Sequence, residues 1–177
     1  MTTSLHIIVK KLTPHLSQDD SFCVIFNGKT YEATIGRSGV STHHLEGDGS
    51  TPIGHFPLRK VFYNPSRLSL PATHLTVVAI HPNDGWCDDP QSPLYNQQIT
   101  LPFAHAHEKL WRDDSLYDVF IEVGYNDDPI IPGKGSAIFI HVRPDHGKTQ
   151  GCVSLQKEAL LEIISHLSPG SMLMVEP

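Results

Sequence analysis

The sequence predicts a β-rich chain of the α+β class, a mixed sheet or barrel with one or two helices packed on it. Short apolar runs recur between Gly-, Pro- and Asn-rich breaks, which is the pattern of strands and turns. Thirteen Gly and fourteen Pro among 177 residues punctuate the chain too often for long helices. A single segment, 156–167, carries sustained helical periodicity.

Residues 5–10 begin the series as a strand. Residues 22–26 and 29–35 flank Asn27-Gly28, which supplies both positive-φ positions of a type I′ turn, so the segment reads as a hairpin. Residues 36–52 carry four glycines and read as a long surface loop of the kind that is functional or mobile. Further strands are expected at 54–63, 75–81, 119–125, 136–142 and 172–176, with a short helix at 105–112. In the periodic segment Leu155, Ala159, Leu160, Ile163, Ile164 and Leu167 share one face, Ser154 is the expected N-cap, and Pro169-Gly170 closes it. There is no internal repeat, low-complexity tract or linker, so residues 1–177 read as one domain.

Composition removes several functions. A hydrophobic share of 39% is too high for a disordered chain, and this length buries a sizeable core. A net charge of −6, with no basic run longer than Lys10-Lys11, argues against nucleic acid as a partner. Three cysteines at 23, 87 and 152, without a CxxC pair, argue against a disulfide framework and a Cys-rich zinc site. The apolar runs 75–80 and 137–140 fall far short of the ~20 residues of a membrane helix. Residues 5–9 are too short for a signal peptide and the lysines follow rather than precede them. The expectation is a cytoplasmic protein without membrane contact.

Cys152 is the first candidate for chemistry. On this reading it lies two residues before the N-cap of the helix, where the helix dipole and free N–H groups favour a thiolate. Gly151 allows close backbone approach, so N–H groups near Gly151 and Cys152 are placed to face an oxyanion. His141 ends a predicted strand eleven residues upstream, and one loop then brings an imidazole to the sulfur, as Cys/His nucleophilic catalysis requires. The alternative on spacing alone is a small buried Cys and a satisfied core His.

Thr51-Pro52-Ile53-Gly54-His55-Phe56 resembles the TPxGxF signature of YkuD-type L,D-transpeptidase domains, and His141 with Gly151-Cys152-Val153 resembles their His…GC[IV] active-site segment. Gly85-Trp86-Cys87-Asp88-Asp89-Pro90, Tyr95-Asn96, Leu110-Trp111-Arg112, Leu116-Tyr117-Asp118, Gly124-Tyr125-Asn126 and Pro132-Gly133-Lys134-Gly135-Ser136 are similar to the short, single-domain branch. The resemblance covers about Gly36 to Pro177. It implies a β-sandwich-like fold with the Cys in a cleft under a lid. It also implies acyl transfer at the bond between meso-diaminopimelate and D-Ala of a peptidoglycan stem tetrapeptide, without a cofactor. Cys152 is then the nucleophile, His141 the general base and acid, and the Val142 carbonyl the group that orients the imidazole. A thiolate–imidazolium pair would be active over a broad neutral range.

The chain departs from the family's SHGCxR pattern at Gln150 and Ser154. Arg143 is the nearest replacement for the missing guanidinium, with Arg37, Arg67 and Arg112 also available, since a guanidinium suits a carboxylate. Arg143, Gln150, Trp86 and His146 are therefore the expected substrate contacts, with His146 also read as a rival base or a turn residue and Trp86 as groove wall or packing. Cys87, beside Trp86, Asp88 and Asp89, reads as a poor nucleophile because that setting disfavours a thiolate, and Cys23 reads as core. His43-His44 with Glu46 and Asp48 lacks the spacing of a zinc motif, so no catalytic metal is expected. The leading expectation is an L,D-carboxypeptidase acting on soluble muropeptides in recycling. An L,D-transpeptidase making 3→3 cross-links or exchanging D-amino acids is the alternative. A non-catalytic peptidoglycan-binding domain and a His-rich metal hydrolase stand behind them.

Overall fold

The computed structural model describes residues 5–12 and 21–177. In chain order its elements are β1 (Ile7–Lys11), β2 (Phe22–Phe26), β3 (Lys29–Ala33), β4 (Val40–Ser41), β5 (Thr51–Pro52), β6 (Gly54–Tyr63), β7 (Thr76–Ala79) and β8 (Asp84–Cys87). Then follow β9 (Gln98–Thr100), β10 (His107–Lys109), β11 (Val119–Val123), β12 (Phe139–Val142), β13 (Val153–Leu155), α1 (Lys157–Ser165) and β14 (Met172–Val175).

Eight strands form one mixed sheet in the order β13-β12-β11-β6-β14-β1-β2-β3, with β7 added alongside β6. The β2–β3 hairpin turns at Asn27 (φ 48°) and Gly28 (φ 76°), the two left-handed residues that the dipeptide predicts. β6 serves both halves of the sheet: Gly54–Pro57 pair with β14, and Leu58–Tyr63 face β11. The far edges meet as well. Thr34 and Ser154 exchange backbone hydrogen bonds of 3.0 and 2.8 Å beyond β3 and β13, so the sheet wraps round its core. A separate three-stranded sheet, β10-β8-β9, covers one outer face.

Strand alternation sorts the core into two parts. On β11 and β12, Val119, Ile121, Val123, Ile140 and Val142 point inward with Val153, Leu155 and the buried helix face of Leu160, Ile163 and Ile164. The opposite parity, Phe120 and Phe139, joins Phe62, Trp86, Leu110, Tyr117 and Cys152 under the small sheet. Phe62 and Phe120 stack at 4.9 Å, and Trp86 meets Phe139 edge-on at 5.1 Å. His141 has the parity of Phe139, so β12 delivers it to the same side as Cys152.

Four expectations are corrected. Residues 105–112 form no helix: His107–Lys109 are β10, antiparallel to β8, because pairing with Gly85–Cys87 outweighs weak local helix preference. Ser154 is not an N-cap: it pairs within β13, and Gln156 precedes α1 without a side-chain cap. Cys152 therefore precedes a strand rather than a helix. Residues 36–52 are not simply a surface loop. They fold back on themselves through the β4–β5 pair and bury His44 and Thr51. A Cβ at Gly36 would lie 2.3 Å from the Gly49 carbonyl oxygen, which is why this fold-back requires glycine there.

Candidate active site

Cys152 and His141 line the same groove, of about 740 Å3. The Cys152 thiol donates to the Ala137 carbonyl (3.2 Å), and the Phe139 N–H donates to Sγ (3.4 Å). His141 Nδ1 lies 2.7 Å from the Val142 carbonyl oxygen. A carbonyl only accepts, so Nδ1 carries the proton and Nε2 holds a lone pair. The Tyr117 ring meets His141 edge-on at 5.5 Å, and its hydroxyl donates to Glu108 (2.6 Å). The imidazole is thus held by a carbonyl at one nitrogen and an aromatic edge at its side.

Electrostatics differ from the thiolate–imidazolium pair expected from the sequence. Burial, reinforced by the nearby Glu108 carboxylate, pushes the Cys152 thiol up to about 12. Burial also pulls the His141 imidazole down to about 4, with Arg112 adding to the effect. At neutral pH the free protein therefore holds a neutral thiol beside a neutral imidazole. Glu108 itself is raised by burial.

The backbone around the sulfur is fixed by residues the sequence reading left without a chemical role. Asn96 Oδ1 accepts from both the Trp86 indole N–H and the Ala137 N–H at 3.0 Å, and its amide donates to Tyr125 and Asn126 carbonyls. Ala137 is held at φ 52°, which turns its carbonyl onto the thiol. Gly151 sits at φ 146°, and a Cβ there would lie 2.8 Å from the Ser50 carbonyl oxygen. Its N–H donates to Thr149 Oγ1 (3.2 Å), and its carbonyl accepts from Thr51 Oγ1 (2.8 Å). The Thr51-Pro52 segment therefore braces the residue next to the sulfur.

The expected substrate contacts are dispersed. Gln150 lines the groove and accepts from Arg37 through a short hydrogen bond. Arg143 lies elsewhere: β12 ends at Val142, so alternation no longer carries Arg143 to the face of His141, and it pairs with Glu32 at 2.8 Å in a second groove that shares Lys148 with the first. His146 is exposed and lines neither groove. Trp86 is buried core, 5% exposed, rather than groove wall. Arg67 is spent on the carbonyls of Arg112, Asp113 and Asp114 and on Asp118. Of the arginines, Arg112 reaches the groove of Cys152 and His141, held bidentately by Asp114 and lying 5.7 Å over the Tyr117 ring.

Glu108, Tyr117, Glu46 and His44 also line the groove, without a catalytic or substrate-binding part expected from the sequence, and Arg112, one of the arginines expected to replace the missing guanidinium, lines it too. Strand parity was the one usable signal, and it needed the positions of β10 and β11. Among the described residues no group of three or more His, Cys, Asp or Glu side chains is arranged to hold a metal ion, and no helix is long and apolar enough to cross a membrane.

No curated protein and no solved structure matches this chain. The model of the YkuD family, the L,D-transpeptidase catalytic domain, matches residues 17–175, nearly the full length and the whole of the groove just described. The chain belongs to the YkuD family of L,D-transpeptidase catalytic domains.

Proposed function

We propose that this chain is a cysteine L,D-carboxypeptidase: it cleaves the meso-diaminopimelate–D-Ala bond of a stem tetrapeptide through a thioester on Cys152, with water as acceptor. The observation that carries the reading is the common groove onto which Cys152 and the Nε2 side of His141 are delivered by one strand pair.

The neutral resting pair dictates the order of events. Because the thiol holds its proton to high pH, the S–H turns from the Ala137 carbonyl to His141 Nε2 as Sγ attacks the carbonyl carbon. The Phe139 N–H stabilises the sulfur as negative charge grows on it. With the Gly151 N–H engaged by Thr149, the Cys152 N–H is the backbone donor this reading assigns to the developing oxyanion. The imidazolium then gives its proton to the departing amine of D-Ala. Water adds to the thioester, and the tripeptide leaves with a new carboxylate. On this reading Arg112, which lines the groove, takes the terminal carboxylate of the substrate.

Water, the most abundant acceptor, is taken as the acceptor on this reading, and a second stem peptide in its place would make the reaction a transpeptidation. Soluble muropeptides returned for recycling are the natural substrates on this reading. The test is mass spectrometry of products from disaccharide-tetrapeptide, with wild type beside Cys152→Ala. Loss of one alanine with wild type alone supports the carboxypeptidase. A product spectrum dominated by 3→3 dimers or exchanged D-amino acids supports the transpeptidase instead.

A further inference from the structure

A second imidazole faces the catalytic groove. His44, 7% exposed, lies in the turn between β4 and β5, and its Nδ1 is 3.2 Å from Asp48 Oδ1 and 3.0 Å from Ser50 Oγ. Asp48 Oδ1 also accepts the Ser50 N–H and hydroxyl, at 2.7 and 2.8 Å, and Oδ2 accepts the Leu45 N–H. An ionised carboxylate only accepts, so Nδ1 of His44 carries the proton and Nε2 keeps its lone pair. The turn thus holds a carboxylate–imidazole pair in the tautomer a base requires.

Nε2 receives no hydrogen bond from any described residue. The side-chain polar atoms both sealed from solvent and unpartnered are Asp88 Oδ1, Glu122 Oε2 and Ser154 Oγ among the described residues. His44 Nε2 is not one of them, and the ring lines the groove. The rest of the ring is tightly held. Tyr125 meets it edge-on at 5.3 Å, and Gly135 presses so close that a Cβ there would lie 2.4 Å from Cδ2 and Nε2. His44 Cε1 comes within 3.6 Å of the point where a Cβ of Gly151 would stand. His141 pairs in register with Ser154, on the C-terminal side of Cys152, whereas His44 abuts Gly151, on its N-terminal side. Both imidazoles therefore line the groove that holds Cys152.

We propose that His44, oriented by Asp48, is a second general base of the groove, taking the proton of the water or amine that resolves the Cys152 acyl-enzyme. This rests on the reading that Cys152 carries an acyl group. As the acceptor oxygen or nitrogen bonds to the thioester carbonyl carbon, its proton passes to His44 Nε2. The C–S bond breaks with its electron pair on Sγ, and the imidazolium proton returns to Sγ, restoring thiol and neutral ring. Burial, which outweighs Asp48 and Glu46, holds His44 below its ordinary value and so keeps it a free base at neutral pH.

The test separates acylation from deacylation with p-nitrophenyl acetate, which acetylates a cysteine whatever the natural substrate. The nitrophenol burst reads acylation, and the steady state reads hydrolysis of the acetyl-enzyme. His44→Ala is expected to keep the burst while its steady state falls about 100-fold, with acetyl-enzyme accumulating by mass. Free imidazole is expected to restore the steady state, which a structural role would not allow. His44→Asn is the second variant, because its amide N–H replaces Nδ1 on Asp48 and leaves only the base missing; it should show the same split. An unchanged steady state, or equal loss of burst and steady state without imidazole rescue, would overturn the proposal. A clear split with the ester, together with no reaction of the tetrapeptide, would leave His44 in its role and remove the peptidoglycan reading instead.

Discussion

The Cys152 thiol is held protonated by burial and by Glu108, so its reactivity is set by what surrounds it rather than by a pre-formed ion pair. Replacing Glu108 by Gln removes an anion beside the sulfur. Iodoacetamide at a fixed, mildly alkaline pH should then label Cys152 faster in Glu108→Gln than in wild type, as read by intact mass; an equal or slower rate would contradict the assignment. On the proposed mechanism His141 sets the acid side of catalysis. With its imidazole at about 4 rather than 6.5, kcat/KM for the free enzyme should stay level from about pH 8 down to about pH 5 and fall below that. A half-maximal point near 6.5 would show that burial does not act on His141 as described. The two residues are legible in the sequence, a Cys after Gly and a His at a strand end, and the fold brings both to one groove. Their protonation states are not, because they depend on the depth at which Phe139, Tyr117 and Glu108 enclose them. Arg143 illustrates a further limit. Its place two residues after His141 suggests the same face, but the strand stops before it and Glu32 takes the guanidinium.

Elements with strong local signals are found where expected. Asn27-Gly28 fixes one hairpin, the apolar face of Leu160, Ile163 and Ile164 fixes α1, and β6 spans residues 54–63 as its pattern indicates. The small sheet was missed because β9 and β10 have three residues each and carry too little pattern; they exist by pairing with β8 over the aromatic cluster. Its removal from view also hid Glu108, which β10 brings to the groove. Two substitutions test how the elements position the site. Phe139→Ala empties a fully enclosed ring position and should cost ~3–5 kcal/mol in urea unfolding. Gly151→Ala forces a Cβ against the Ser50 carbonyl at a left-handed φ and should cost ~1–3 kcal/mol. D-Ala release should fall in Gly151→Ala beyond what the lost stability explains, since the shift moves Cys152 itself. Normal melting and normal turnover in that variant would show that the fold-back of residues 36–52 does not brace the nucleophile.

At the scale of the whole molecule, the two central groups leave opposite marks on stability against pH. The folded His141 holds its proton less tightly than the unfolded chain, so acidification from about 6.5 to about 4 favours unfolding, by on the order of 3 kcal/mol. Cys152 behaves in the reverse sense: above pH 9 the unfolded thiol ionises first, so stability declines as pH rises toward 12. Maximum stability is expected between about 6.5 and 9, and His141→Gln should flatten the acid side of a plot of melting temperature against pH. The wrapped sheet, the small sheet over it and the 36–52 turn converge on one groove, and the family match spans all three. The most direct measurement is intact-protein mass spectrometry of enzyme mixed with disaccharide-tetrapeptide and quenched in acid within the first turnover. The account predicts an adduct of the substrate minus D-Ala on Cys152, absent in Cys152→Ala and present in Cys87→Ala. Turnover without any adduct on Cys152, or an adduct that persists in Cys152→Ala, would contradict it.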